Sequence, residues 1–481
     1  MRMKRLIVVF SLIWISFPSW ANIIHVPTDQ PTIQLGINDA ANGDTVLVAP
    51  GIYYENIHFR EKGIVVASHY VLNNNVAYVE STTINGGASI NPDTGSCVLI
   101  VSDDSTTMQD TSAALIGFTI TEGTGTKWLD EHGAGIFREG GGILIQYLSP
   151  RIAHNIIVRN RAMHTAGVIS SGGGALRCGD GNPRIRNNII MYNSARYGGG
   201  IVLNFTGAII KNNIIAYDSA YGDYGGGGGI WSYANSTEPK IIENNTIVYN
   251  AGGGSGTGGG LRLWSSTATV RNNIIWGNVD YQIFRSGGVV TVTYSDVQGG
   301  WSGEGNIDTD PFFAPENFYL SDSSPCIDAG DTSAAYNDPE DPGNPGYAQW
   351  PSMGELRNDM GAYGGPGRTD LGNIPAVYEI PIIEKPYNLI LQNYPNPFNQ
   401  VTEIRYEMKN SDITHNVSLK IYDISGRFIK EFPRSVLDAQ RPMSILWDGR
   451  DNHGQLVNAG VYICQLTSSN NILSRKMIVA R

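Results

Sequence analysis

The sequence is poor in charge and in cysteine, and it has no surplus of basic residues. Charged side chains make up only 16% of it, and the 33 Lys and Arg are outnumbered by 44 Asp and Glu, for a net charge of −11. Nothing in that balance offers the basic footprint that releases counterions from a phosphate backbone, so no nucleic-acid partner is expected. The four cysteines, Cys97, Cys178, Cys326 and Cys464, form no CxxC pair, which removes a zinc ribbon and a dithiol redox motif. Isolated buried thiols are the plainest reading, although export would permit disulfides. Only one long apolar run exists, from Leu6 to Phe17, and it is short for a membrane span. With Arg and Lys before it and Ser19 and Ala21 after it, residues 1–21 read as a secretory signal cut after Ala21; an uncleaved anchor is the alternative. No transmembrane span is expected in the mature chain.

What is abundant is glycine, with 58 residues, in a chain that is 41% hydrophobic. That pairing points to a turn-rich all-β protein with little helix. The glycines cluster. "GGGILIQYLSPRIAHNIIVRN" starts at Gly140, "GGGALRCGDGNPRIRNNIIMYN" at Gly172 and "GGGIVLNFTGAIIKNNIIAYD" at Gly198. "GGGIWSYANSTEPKIIENNTIVYN" follows at Gly227 and "GGGLRLWSSTATVRNNIIWGN" at Gly258. Each copy runs from glycines through apolar alternation to a second short strand bearing Asn. The inner asparagines, Asn155, Asn188, Asn213, Asn245 and Asn273, are spaced by 33, 25, 32 and 28 residues, as expected for one supersecondary unit with variable loops.

Strands this short are stable only when stacked, each pairing in parallel with its counterpart one coil on, ~4.8 Å along an axis. The spacing therefore predicts a parallel β-helix. Glycine triplets then mark sharp corners, where φ > 0 is needed. Asn tolerates the left-handed region, and its amide can bond the equivalent Asn of the next coil, so the five asparagines are predicted to form a structural ladder. A phosphate-binding loop is excluded, because no cluster is followed by Lys-Ser or Lys-Thr.

These repeats resemble the right-handed parallel β-helix repeats of secreted bacterial proteins in the pectate-lyase-like superfamily. Their "GGGI" and Ile-x-x-Asn segments ("IVRN", "IMYN", "IVYN", "IWGN") are also similar to repeats of polymorphic outer-membrane adhesins. "TIQLGINDAANGDTVLVAPGIYYENIHFREKGIVVAS" is similar to the first coils of carbohydrate-related β-helix proteins. That resemblance implies a cap helix at about Ile33 to Ala41, and residues 22–300 are assigned to the capped β-helix. "NIDTDPFFAPENFYLSDSSPCIDAGD" and "DMGAYGG" resemble the closing region of choice-of-anchor Q proteins, which makes 301–370 the C-terminal cap and 371–387 a linker.

From 388 the sequence alternates apolar and polar residues between turn signals, which predicts about seven strands of a small β-sandwich. "NYPNPFN" (Asn393 to Asn399), "DISGR" (Asp423 to Arg427), "WDGRDNHG" (Trp447 to Gly454) and "GVYICQL" (Gly460 to Leu466) resemble the Ig-like type A sorting domain of the type IX secretion system. The resemblance implies export to the outer-membrane surface of a Gram-negative bacterium, with residues 388–481 as the handle for the secretion machinery. The final "RKMIVAR" is expected to be an exposed edge strand that a receptor could recognise.

Catalysis is less legible. Outward positions after the glycines are read as Leu144, Leu176, Val202, Trp231 and Arg262, then Gln146, Cys178, Asn204, Tyr233 and Trp264; none is acidic. A lyase needs a base and a means of neutralising a uronate, and a hydrolase needs paired carboxylates. The nearest group is the insertion "KWLDEHGAGIFRE", with Lys127, Asp130, Glu131 and His132 as catalytic candidates against the plainer reading of a solvated loop. Trp231, Tyr233 and Trp264 could stack on sugar rings or merely clad the solenoid. In the Pro/Asp/Gly loop near 340, Asp338 and Asp341 are the metal candidates, for calcium, but their spacing misses the EF-hand pattern. No other cofactor is expected. The favoured function is non-catalytic binding of polysaccharide or another cell-surface component; a polysaccharide lyase or hydrolase and a self-associating adhesin are the alternatives.

Overall fold

Strands of three or four residues dominate the first 300 residues, and the chain stabilises them by stacking. The computed structural model describes residues 21–372, except 107–109, 223–225, 236, 254–256 and 315–317. It also describes residues 390–480, except 395, 408–417, 424–426, 433–442 and 469–470. The expected signal segment up to residue 20 and most of the expected linker lie outside the described residues. The chain divides into two compact units, 1–376 and 377–481.

The first unit is a parallel β-helix with three long sheets. The first sheet has 10 strands from Ile23–Val26 to Val290–Thr293, the second has 9 from Gly51–Tyr53 to Asp296–Val297, and the third has 8 from Ile57–His58 to Tyr281–Ser286. Pairing is in register. Ile152, Ile185, Ile210, Ile242, Val270 and Val292 fall on one line along the first sheet and point inward. The core is a column of stacked Ile, Leu and Val, and each rung excludes water from the next. A helix, Ile33–Asp39, opens the stack, with Ile33 and Ile37 fully buried.

The predicted ladder is present. Asn155, Asn188, Asn213 and Asn245 each donate Nδ2 to Oδ1 of the next Asn, at 3.1, 2.9, 3.0 and 3.0 Å. The left-handed conformation belongs to the residue before each rung: His154, Asn187, Asn212, Asn244 and Asn272 all have φ between 51° and 56°. The doubled "NN" thus divides two jobs, the first residue turning the corner and the second forming the rung. A second ladder, not predicted, runs Asn160, Asn193, Asp218, Asn250, Asn278 and Gln282 at the other end of the second-sheet strands.

The segment expected to cap the C-terminal end does so only in part. Trp301 packs against the last rungs of the core, but the chain then turns back along the outer face of the second sheet. There Phe318, Leu320, Met360 and Tyr363 bury Ile156, Ile189, Ile214 and Ile274. The corner asparagines hold this strap: Asn272 Oδ1 accepts from Asp331 N at 2.8 Å, Asn212 Nδ2 donates to Gly364 O at 2.7 Å, and Asn187 Nδ2 donates to Gly367 O at 3.1 Å. A sheet apolar on both faces needs such a cover.

Among the described residues, the second unit has seven strands, as expected, in a three-stranded and a four-stranded antiparallel sheet. Its core centres on fully buried Trp447, packed against Phe398 and Tyr462. The last strand, Asn471–Val479, is an edge as expected, but part of that edge is occupied. Asn396 Oδ1 accepts from Ile478 N at 2.8 Å, and Phe398 N donates to Ile478 O at 3.0 Å. The "NPF" turn is therefore a clasp on the edge strand.

Candidate functional site

The third sheet carries the side chains with the richest chemistry. Its outward positions follow from the register: Leu144, Arg177, Val202, Trp231, Arg262 and Phe284 form one column, and Gln146, Gly179, Asn204, Tyr233, Trp264 and Ser286 the other. Leu176 and Cys178, expected outside, are buried in the inner core. In that copy the corner glycine equivalent to Gly140 and Gly198 is Gly173, with φ of 66°, so Ala175 takes the place of a third glycine. The slip of one residue reverses the faces and puts Arg177 outside.

An antiparallel hairpin, Gly125–Leu129 with Ile136–Glu139, folds over this face. It is anchored by a buried charge cluster. Arg177 and Glu139 are 1% and 3% exposed, with Arg177 Nε 2.8 Å from Glu139 Oε2 and Arg177 Nη2 3.5 Å from Glu131 Oε2. Arg177 also donates to Gln146 Oε1, Tyr197 O–H to Glu139, and Trp128 Nε1 to Glu131. Burial works against the guanidinium charge, but Glu139 and Glu131 outweigh it and hold the group protonated beyond its usual range. Burial raises the Glu139 carboxyl, against the opposing pull of Arg177 and the Tyr197 hydroxyl. Gly179 is required here: a Cβ would lie 2.4 Å from Gln146 Oε1 and 2.5 Å from Arg177 Nη1.

The hairpin tip brings His132 to the end of the next strand. His132 Nε2 lies 3.0 Å from Asp180 Oδ1, and the imidazole stacks on Phe205 with ring centroids 3.7 Å apart. Gln146 Nε2 donates to Asp180 Oδ2 at 3.2 Å, fixing the carboxylate. The His132 side chain is 42% exposed. The carboxylate orients the ring, so this pair has the elements of an acid–base group.

Of the four catalytic candidates, Glu131 and His132 join this assembly. Lys127 pairs with Asp93 at 2.9 Å on the other side of the hairpin, and Asp130 Oδ1 accepts from His132 N and Ala134 N, holding the tip. The aromatic candidates separate too. Trp231 is 5% exposed, closed in by Phe137, Tyr197 and Val202, so its ring offers no face to a sugar. Tyr233 is 37% exposed, between Phe205 and Trp264 with ring centroids 5.5 and 5.7 Å away. Arg262 lies over Phe284 at 4.1 Å and Trp264 at 5.7 Å, extending the ledge with a cation.

The calcium candidates do different work. Asp338 is buried, and its oxygens accept from Gly365 N and from Asp359 N, the latter at 3.0 Å; Asp341 Oδ1 accepts from Gly343 N at 2.8 Å in a turn. Among the described residues, no three or more His, Cys, Asp or Glu side chains are arranged to hold a metal ion. All four cysteines are free and buried. No helix among the described residues is long and apolar enough to cross a membrane.

Arg177, Asp180 and Phe205 escaped the sequence reading. Aligning copies on the inward aliphatic residue instead of the glycine would have placed Arg177 outside. Asp180 and Phe205 follow their strands in the left-handed region, with φ of 53° and 52°, and left no repeat signal.

No curated protein matches the chain. Among solved structures it is similar to the PL6 family alginate lyase AlyGC, at 12% identity and TM-score 0.22, over 62% of this chain and 54% of that one. The chain thus spans about half the length of AlyGC. It is also similar to dimeric latent PorU from Porphyromonas gingivalis, at 25% identity and TM-score 0.16, over 19% of this chain and 9% of that one. Residues 392–480 match the family of the secretion system C-terminal sorting domain. Behind its parallel β-helix, the chain therefore carries a C-terminal sorting domain of the type IX secretion system, and it is an export substrate.

Proposed function

We propose that the protein works outside the cell as a surface-directed binder of polysaccharide, delivered to the outer-membrane surface by its interaction with the type IX machinery through residues 388–481. The reading rests on one observation, the half-open ledge of Tyr233 and Trp264 on the third sheet, continued by Phe205 and bordered by the His132–Asp180 pair. Aromatic faces supply apolar contact to sugar rings, while the dyad and Arg262 supply directional polar contacts at either side. Binding requires no resident cofactor.

A glycan-array screen of the mature chain tests this. Binding to a set of polysaccharides, lost in Tyr233→Ala and retained in Trp231→Phe, is expected; an array without hits refutes it. Deleting residues 388–481 should abolish surface display, and unchanged display would remove the assigned role of that domain.

The His132–Asp180 pair favours a second reading, an enzyme acting on the bound polysaccharide. Unsaturated product absorbing in the ultraviolet on uronate polymers, lost in His132→Ala, would establish a lyase.

A further inference from the structure

The outer face of the first sheet holds a charge arrangement that the aromatic ledge does not explain. Arg151 and Arg184 are direct partners on adjacent strands, and Arg186 lies two residues beyond Arg184 on the same face. All three are exposed. Together with Thr111, Ser112 and Ser149 they line a groove of about 290 Å³. Like charges opposite one another across a sheet are destabilising, and in an acidic chain they are easily compensated.

Further along the same sheet they are compensated. Arg186 is in register with Lys211, Glu243 and Arg271, where Lys211 pairs with Glu243 at 2.5 Å and Arg271 with Asp331 at 3.4 Å. No described carboxylate pairs with Arg151, Arg184 or Arg186. Asp110, on the adjacent loop, spends Oδ1 on the backbone N–H of Ser112, at 2.8 Å, and on its hydroxyl. Behind the groove His154 is kept neutral, its pKa pushed to about 4 by burial, Arg151 and Arg186. The three guanidiniums thus concentrate positive potential on a protein of net charge −11.

Guanidinium groups present paired donors that match carboxylate and sulfate oxygens. Here Arg151 and Arg184 stand one strand spacing apart along the solenoid, ~4.8 Å, with Arg186 beside Arg184 on the same strand, an extended patch that suits a polymer with several anionic groups better than a single small ion. We propose that Arg151, Arg184 and Arg186 form a second binding site, separate from the third-sheet ledge, that takes an anionic polysaccharide through its carboxylate or sulfate ester groups.

The mature full-length chain is titrated with dextran sulfate, a polyuronate, unsubstituted dextran and inorganic sulfate, at several salt concentrations. The two polyanions should bind, weakening as salt rises, while dextran does not engage this site. The Arg151→Gln/Arg184→Gln/Arg186→Gln variant should bind polyanion at least tenfold more weakly with an unchanged or raised Tm, since it relieves repulsion. Tyr233→Ala should leave unchanged the salt-dependent part of polyanion binding that the triple variant loses, which separates this site from the ledge. Equal polyanion affinity in the triple variant overturns the proposal, as does inorganic sulfate binding as tightly as the polymers. A preference for anionic lipid vesicles over dextran sulfate would also overturn it.

Discussion

Asp218 should make the β-helix less stable as pH rises, and Asp218→Asn should remove that dependence. Asp218 occupies a rung of the second ladder that Asn160, Asn193, Asn250 and Asn278 fill in other coils. Its Oδ1 accepts from Asn193 N at 2.7 Å and from Asn193 Nδ2 at 3.0 Å, and its own N–H donates to Asn250 Oδ1 at 2.9 Å. The other oxygen, Oδ2, is buried without a partner. It stands where Asn193 and Asn250 use Nδ2 to donate to Ile157 O and Ile215 O, each at 2.9 Å. An ionised Oδ2 there has nothing to accept and faces acceptors. Burial accordingly raises the Asp218 pKa well above the carboxylate range, against the lowering effect of the Asn193 donors.

The folded chain therefore keeps a proton that the unfolded chain gives up. Stability is complete below the unfolded carboxyl pKa, falls by about 1.4 kcal/mol per pH unit as pH rises above it, and levels off once the folded group also ionises. Asn supplies the missing donors without changing shape, which is worth about 1–3 kcal/mol at pH 7. With an unfolding entropy of about 2.1 cal/mol/K per residue over roughly 350 residues, that corresponds to a rise in Tm of about 1–4 °C. Calorimetry of both proteins from pH 4 to pH 8 should show a gap that widens with pH. A gap that is absent, or independent of pH, would refute the assignment of a protonated rung.

Asn213→Ala should cost at least about 3 kcal/mol, because it strips partners from Asn188, Asn245 and the Ile185 carbonyl at once, and denaturant unfolding will measure it. Gly179→Ala should displace Arg177 from Gln146 and loosen the hairpin; faster hydrogen exchange at 125–139 with unchanged exchange in the inner core is expected. Arg177→Ala should destabilise by about 3–5 kcal/mol by leaving Glu139 and Glu131 as buried carboxylates without their cation. A calcium chelator should leave Tm unchanged, since backbone N–H groups already occupy the Asp338 oxygens; a fall would show a bound metal.

Much of the fold was legible because a solenoid repeats its constraints. Every coil needs a glycine corner and a rung, so Gly173, Gly198, Asn188 and Asn213 leave periodic marks on the chain. The site was legible only in fragments. Glu131 and His132 stood out as an insertion rich in titratable groups, but Arg177, which ties Glu131 to the sheet, was hidden by a copy whose third corner residue is Ala175. Trp231 and Tyr233 look alike in sequence, two residues apart on one outward face. Phe137 and Tyr197 close over the first and leave the second half open.

The sequence by itself determined the parallel coils, the first asparagine ladder and the seven-stranded sorting domain, because these depend on local conformation and on a period that any coil must obey. Tertiary structure alone decided where the 301–372 segment lies, which aromatic rings meet solvent, and which charges are paired. Those outcomes come from contacts between residues far apart in the chain, such as Asn187 with Gly367 and His132 with Asp180. No local pattern encodes them.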